Sequence, residues 1–446
     1  MKIAKVILKN YRNFIDEEIN FNNQTLIIGP NDVGKTNMIR ALRIVLDKSL
    51  SQVEIEPSEK DFNIFTTEEE FRVEILFDEY DETRDEHVRA NLGTYFTEED
   101  ELKITYIGYK NQEKNYKIFL GEDENNDASS RYYLKCLNLV YLDSTRSLKD
   151  YINRAKNRLI RRYKEERNPD EIQFDDQKLL EIENDNNSIN RNLESISYVA
   201  KSLDSIKEHL NDISIHNSNN EIKLTAYGST DNITDKLELM TYSNGKTIEL
   251  GGDGRNNQIY LTMWIEEIKY INANNYQTTL FVIEEPEAHL HPTLQSMTLK
   301  KILGSIENQI IVTTHSPKLA VEFNPNSIVR LYYDNYYKTK VSKNGCSEII
   351  ADNIYDMAYR NNVINGEMFF ADAVLLVEGI SEKLLYQELS NQLGNNIEKY
   401  NILILSVEGV GFDVYTQILN TLGIPFVIRT DNDIIKKRFV KTFKRC

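Results

Sequence analysis

Two hydrophobic patterns alternate along this chain, and they predict two kinds of strand. Lys2–Leu8 reads as a strand, and after a turn Phe14–Phe21 alternates apolar and polar side chains, the pattern of a sheet with one buried face. Thr25–Ile28, Leu137–Leu142, Thr279–Ile283 and Gln309–Thr313 are short apolar runs that read as buried strands. Residues 71–77 add a strand, and 101–120 fold as a hairpin. Helical spacing sets in from Thr36 to about Lys48, with Met38, Ile39, Leu42, Val45 and Leu46 on one face. It returns over Ile259–Ile271 and Thr293–Ile306.

The stretch Leu148–Ile213 differs. It is polar, rich in Asn, Lys and Glu, and broken at Asn168-Pro169-Asp170, which predicts two or more amphipathic helices around a joint. Strands resume at Glu221–Ala226 and Leu237–Tyr242. From about residue 370 a second unit begins: strand Ala373–Val377, helix Glu382–Leu393, strand Ile402–Ser406, helix Phe412–Leu422 and strand Phe426–Ile428. Its continuous apolar strands separated by helices predict a parallel sheet covered on both faces. The fold class is α/β. The expected division is a first lobe at 1–147, a helical insertion at 148–215, a second lobe at 216–335, a linker at 336–369 and the second unit at 370–446.

Chemistry enters at Gly29-Pro-Asn-Asp-Val-Gly-Lys-Thr36, which follows a strand and opens a helix. In that setting the glycines let backbone N–H groups curl around phosphates, aided by the helix N-terminus. Lys35 is the candidate for the β- and γ-phosphates and Thr36 for magnesium. Gly29, Asn31, Gly34, Lys35, Thr36 and Asn37, with Glu284, form the candidate nucleotide-binding set. The apolar strand Leu280–Ile283 ends in Glu284-Glu285, where an α/β sheet presents catalytic groups. Glu284 is assigned to the metal and Glu285 to the base that polarises the attacking water. His315, in Thr313-Thr-His-Ser-Pro317, stands at the end of the next strand as a candidate γ-phosphate sensor.

Ile283-Glu-Glu-Pro-Glu-Ala-His-Leu-His-Pro292 with Thr314-His-Ser-Pro317 resembles the ATPase of the overcoming-lysogenisation-defect (OLD) family nucleases, relatives of the SMC-like ABC ATPases. The resemblance implies a split ABC/SMC-like P-loop head over 1–330, interrupted by the insertion as a dimerisation arm. It also implies a glycine-rich signature supplied in trans by a partner head. Gly251-Gly-Asp-Gly-Arg255 occupies that place but departs from the familiar Leu-Ser-Gly-Gly form.

In the second unit, Glu378 follows the first strand, and Asp431 and Asp433 follow a later one. Parallel strand ends lie side by side, so these carboxylates are placed to converge on one or two divalent ions. Hard oxygen donors of this kind suit Mg²⁺ or Mn²⁺. The pattern resembles a Rossmann-like TOPRIM domain. By that resemblance Glu382 is an additional metal ligand, Glu378 and Asp431 are catalytic, and Glu408-Gly409 forms a turn after the middle strand. Thirteen residues follow Asp433, fewer than the final helix and strand of such domains need, so the unit is expected to be C-terminally incomplete.

A net charge of −17 argues against indiscriminate coating of nucleic acid by the whole surface. Basic residues are concentrated in two runs, Arg154 to Arg167 and Lys436 to Arg445, either of which is able to neutralise phosphates. Three widely spaced cysteines exclude a disulfide framework or zinc site. No apolar run approaches the roughly 20 residues of a membrane span, and the first residues lack a signal-peptide core, so a cytoplasmic location is expected. The leading expectation is an ATP-controlled, metal-dependent DNA endonuclease of the OLD class, acting in anti-phage defence as a homodimer or larger homo-oligomer. Similar proteins work with a helicase or with a retron reverse transcriptase and its msDNA. The alternative is an SMC-like DNA-binding ATPase with a non-cutting TOPRIM unit.

Overall fold

The computed structural model describes residues 1–82, 85–110, 115–143, 148–202, 204, 237, 239–243, 246–249, 259, 262–266, 268, 277–288, 290, 292–348, 366–394, 396–407 and 412–430. The chain divides into two compact units. One comprises Met1–Arg146 with Ile268–Cys446, and the other is Ser147–Glu267.

In the first unit the alternating segments form a five-stranded antiparallel sheet. Its strands are β1 (Lys2–Tyr11), β2 (Phe14–Asn20), β4 (Glu70–Asp78), β5 (Leu102–Tyr109) and β6 (Tyr116–Leu120), in the order β2-β1-β4-β5-β6. Val6, Leu8, Val73, Ile75 and Ile104 are fully buried. An aromatic stack of Tyr11, Phe62, Phe71, Tyr106 and Tyr116 fills one end, with centroids 5.1–5.8 Å apart.

The apolar runs build a six-stranded sheet from β3 (Gln24–Ile28), β7 (Leu137–Leu142), β10 (Thr278–Glu284), β11 (Ile310–Thr313), β12 (Ile328–Tyr333) and β13 (Thr339–Val341). The order is β13-β12-β3-β11-β10-β7. All pairings are parallel except β12 with β13. Phe281, Val282, Ile283, Ile310, Ile311 and Val312 are fully buried, as the unbroken apolar runs require of a sheet covered on both sides. Helix α1 (Lys35–Leu46) follows β3 and buries Met38, Ile39, Leu42 and Val45.

Within the expected linker, Thr339–Val341 form a strand that completes this sheet. β13 pairs with β12, and the Glu17 carboxylate accepts the Val341 N–H at 2.9 Å and ion-pairs with Lys340. The polar turn between the two strands looks like linker sequence, whereas the Glu17 carboxylate that anchors β13 lies more than 300 residues away along the chain. Residues 349–365 lie outside the described residues.

The second α/β unit is a parallel sheet of β14 (Ala373–Val377), β15 (Ile402–Ser406) and β16 (Phe426–Arg429), in the order β15-β14-β16. Helices α5 (Ile380–Gln392) and α6 (Phe412–Thr421) connect them. A buried arginine joins it to the six-stranded sheet. Arg330, on β12, donates to the carbonyl oxygens of Ala371, Leu422 and Gly423 at 3.3–3.4 Å, and Ser342 Oγ donates to Thr421 O at 3.2 Å.

In the other compact unit the expected helices are α2 (Leu148–Glu165) and α3 (Pro169–Glu194). The break predicted at Asn168-Pro169 is the start of α3. Asn168 Oδ1 accepts the Glu171 N–H, Glu171 returns a bond to Asn168 N, and Pro169 takes the first helical position. No α3 side chain is buried among the described residues. The unit also holds the short hairpin β8 (Met240–Ser243) and β9 (Lys246–Glu249). Helix α4 (Pro292–Ser305) belongs to the first unit. Among the described residues no helix is long and apolar enough to cross a membrane. Cys136 and Cys346 are buried free thiols.

Candidate active site

Strand order decides the site. β11 separates the phosphate-loop strand β3 from the acid strand β10, and β7 lies beyond β10. Neighbouring strands are about 4.8 Å apart, so the loop after β3 and the acids after β10 are about 10 Å apart across the carboxyl edge. That edge is where ligands bind in open α/β sheets.

The loop is shaped by glycine. Gly34 has φ +111°, and a Cβ there would lie 2.1 Å from Asn13 Nδ2, a contact no side chain tolerates. Asn13 needs that closeness because its amide donates to Val33 O at 2.7 Å and to Thr339 Oγ1 at 2.6 Å. Thr339 also donates to Val33 O, at 2.8 Å. The loop is thus held from outside by the β1–β2 turn and by β13. Asn31 and Thr36 are exposed on its rim. Asn37 faces the other way: its Nδ2 donates to Asn13 Oδ1 at 2.7 Å, and its Oδ1 accepts from Arg12 at 2.8 Å. Arg12 is fixed in turn by Asp61 at 2.8 Å.

Lys35 is 8% exposed, and its Nζ donates to Gly29 O and Pro30 O at 2.8 Å each. Burial lowers its pKa to about 8, against the opposing pull of Glu285, Asp32 and Glu284. The unfolded chain keeps this proton to about 10.5. Between those values the unfolded state holds more protons, so this group makes stability rise with pH. Relative to Lys35→Met, the parent should gain about 2 kcal/mol from pH 8 to pH 10 in denaturant titrations; equal slopes would place the ammonium in solvent.

Glu284 is 6% exposed and accepts from the Tyr141 and Thr36 hydroxyls. Burial raises its pKa, while these two donors act in the opposite direction. Glu285 turns the other way. Its φ of +46° is a left-handed conformation that a glutamate adopts only under local constraint, here a bond from its N–H to Thr313 O at 3.0 Å. Its Oε1 lies 3.3 Å from His315 Nε2. Burial and the nearby Lys35 lower the His315 pKa, with Glu285 opposing, so the imidazole is neutral at pH 7. The His315 backbone N–H is held at 2.8 Å by Glu287 Oε1, which also accepts from Thr314 Oγ1 at 2.5 Å.

The structure therefore brings Gly29, Gly34, Lys35, Thr36, Glu284, Glu285 and His315 to one edge, and turns the Asn37 amide to Asn13 and Arg12. Sequence reading missed Asn13, Arg12, Tyr141 and Glu287. Only Glu287 had a visible signal, as the third carboxylate of Glu284-Glu-Pro-Glu287. A hydroxyl touching a buried carboxylate beside a lysine is a donor set that fits magnesium and nucleotide phosphates.

At the second sheet, Val377 pairs with Ser406 and with Arg429. Glu378 is exposed at that carboxyl edge. Glu382 Oε2 accepts the Gly379 N–H at 2.8 Å, capping α5. The register sets Thr430 beside Glu378. Asp431 and Asp433 lie outside the described residues, as do Glu408-Gly409, Gly251–Arg255 and the basic run 436–445. Among the described residues no three His, Cys, Asp or Glu side chains gather as a metal cluster. Glu378 and Glu382 are hard oxygen donors that fit Mg²⁺ or Mn²⁺.

A family model for an AAA ATPase domain matches residues 1–192 and 134–320, and a model for the overcoming lysogenization defect protein-like TOPRIM domain matches 369–433. The chain is 25% identical over 460 residues to endonuclease GajA of Bacillus cereus, covering 98% of this chain and 76% of that one. It is 21% identical over 465 residues to the OLD nuclease of Thermus scotoductus, covering 97% and 82%. Among solved structures, an SMC head bound to the C-winged helix domain of ScpA aligns with TM-score 0.44 and 14% identity, over 76% of this chain and 97% of that one. The chain belongs to the AAA ATPase family and, through its TOPRIM unit, to the OLD class of proteins that join such an ATPase to that domain.

Proposed function

We propose that this protein is an ATP-controlled, divalent-metal-dependent DNA endonuclease, acting in the cytoplasm as a homodimeric or larger anti-phage effector. The observation that carries this reading is the convergence of Lys35, Thr36, Glu284, Glu285 and His315 on one sheet edge, in the same compact unit as a TOPRIM sheet whose first strand is followed by Glu378.

At the ATPase site, Lys35 neutralises the β- and γ-phosphates. Thr36 and Glu284 hold magnesium, which supplies charge neutralisation at the transferred phosphoryl group. Glu285 orients the attacking water and accepts its proton. Neutral His315 offers its single ring N–H to the γ-phosphate, and Glu285 is held toward the site by its left-handed backbone conformation. Gly29, Gly34 and Asn31 line the phosphate cradle, and Asn37 holds the loop from behind. At the TOPRIM site Glu378, Glu382, Asp431 and Asp433 hold Mg²⁺ or Mn²⁺, which supplies Lewis-acid activation for phosphodiester cleavage. Glu378 and Asp431 are its catalytic carboxylates. The exposed Ile172, Phe174 and Leu180 on α3 support self-association through the arm.

A plasmid-nicking assay with Mg²⁺ or Mn²⁺ tests the nuclease. The parent is expected to nick, and Glu378→Ala to lose at least about 100-fold in rate with ATP turnover intact. Absence of nicking by the parent would favour the DNA-binding ATPase with a non-cutting TOPRIM unit, and cleavage unaffected by Glu378→Ala would remove the TOPRIM site from the reaction.

A further inference from the structure

Tyr141 lies on β7, outside every motif described above. β7 runs parallel to β10 with Tyr141 beside Val282. From there the phenol reaches the carboxyl end of β10 and donates to Glu284 Oε2. The Arg43 guanidinium covers the ring, 3.9 Å from its centroid, and Arg43 Nε is held by Asp47 Oδ2 at 2.8 Å. Arg43 lies on α1, about two turns beyond Thr36, and Thr36 supplies the other hydroxyl on Glu284. Helix α1 therefore grips this carboxylate twice, directly through Thr36 and indirectly through Arg43 and Tyr141.

We propose that Tyr141 is a positioning residue of the ATPase reaction, holding the Glu284 carboxylate in the orientation that takes magnesium. Its hydroxyl donates to Oε2, so the carboxylate is held on the side of β7 as well as by Thr36. A hydrogen bond to a charged acceptor is stronger than a neutral one, and inside a sheet edge it has little water to compete with. The cation over the ring draws electron density from the phenol, which strengthens its O–H as a donor, and it fixes the ring plane. Outer-shell partners of this kind change metal affinity about 10- to 100-fold when removed. Tyr141 thereby ties the acid strand to the helix that carries Lys35 and Thr36, so metal and phosphates meet a single preorganised frame.

The inference rests on Glu284 as the magnesium ligand, and the test separates the two. Binding of a fluorescent ATP analogue is titrated with Mg²⁺ in the parent, Tyr141→Phe, Glu284→Gln and the double variant, and repeated in EDTA. Phenylalanine keeps the ring under Arg43 and removes only the hydroxyl. The Mg²⁺ concentration for half-maximal binding is expected to rise about 10-fold in Tyr141→Phe, with affinity in EDTA unchanged. The double variant should shift no further than Glu284→Gln alone, because the hydroxyl acts through that carboxylate. An unchanged Mg²⁺ requirement in Tyr141→Phe beside a raised one in Glu284→Gln overturns the positioning role alone. An unchanged requirement in both variants overturns the assignment of Glu284 itself. A loss of affinity in EDTA equal to that in Mg²⁺ marks a damaged loop, and it too overturns the proposal.

Discussion

Lys35→Ala is expected to abolish ATP binding and turnover, lowering phosphate release by about 100-fold or more. The ammonium is the one cation the described loop carries, and its companions at the edge are the carboxylates of Glu284 and Glu285. Without it, the triphosphate would meet an edge whose nearest side chains are anionic. The fold should survive, since the lysine contributes two bonds to loop carbonyls and removing them costs about 1–3 kcal/mol at most. Phosphate release and nucleotide affinity, measured beside a thermal melt, decide the matter. Persistent turnover in a folded Lys35→Ala protein would place ATP elsewhere.

Glu285→Gln should separate binding from chemistry. The amide keeps the size of the carboxylate and its contact with His315, but it accepts no proton from water. A general base is worth about 10²- to 10⁴-fold, so turnover should fall by that factor while ATP affinity stays within about 3-fold of the parent. Single-turnover hydrolysis and equilibrium binding on the same preparation give both numbers. Equal losses in affinity and rate would make Glu285 a binding group and not the base. The geometry distinguishes the two neighbouring acids. Glu284 is buried against Tyr141 and Thr36, whereas Glu285, in its left-handed conformation, faces His315.

The ATPase sheet and the TOPRIM sheet share one compact unit, and side chains on β12 and just after β13 bridge them. Arg330 pairs through β12 with Ile28, the residue before Gly29, and its guanidinium holds the backbone around β14 and β16. Thr339 begins β13 and Ser342 follows it, one bonded to the phosphate loop and the other to the end of α6.

Much of this was legible along the chain. The strands β3, β7, β10 and β11 announced themselves as apolar runs, and the glycine-rich loop and paired acids stood at their ends, because local periodicity and motif chemistry are written in consecutive residues. The TOPRIM strands were equally plain, down to the break before each helix. What consecutive residues do not record is which strand lies beside which. The register of β7 against β10 turned Tyr141, one of 26 tyrosines without a diagnostic context, into a partner of Glu284. The pairing of β13 converted an expected linker into a wall of the phosphate loop. The turn carrying Arg12 and Asn13 claimed the amide of Asn37, which by position alone looked like a nucleotide contact. The sequence by itself determined the ATPase chemistry, the α/β class and the carboxylates at the strand ends, since each follows from residues close together in the chain. Only the tertiary structure decided the supports that hold those groups, because hydrogen bonds such as Tyr141 to Glu284 and Thr339 to Val33, 143 and 306 positions apart, depend on strand order and register, and those are set by the packing of the whole sheet.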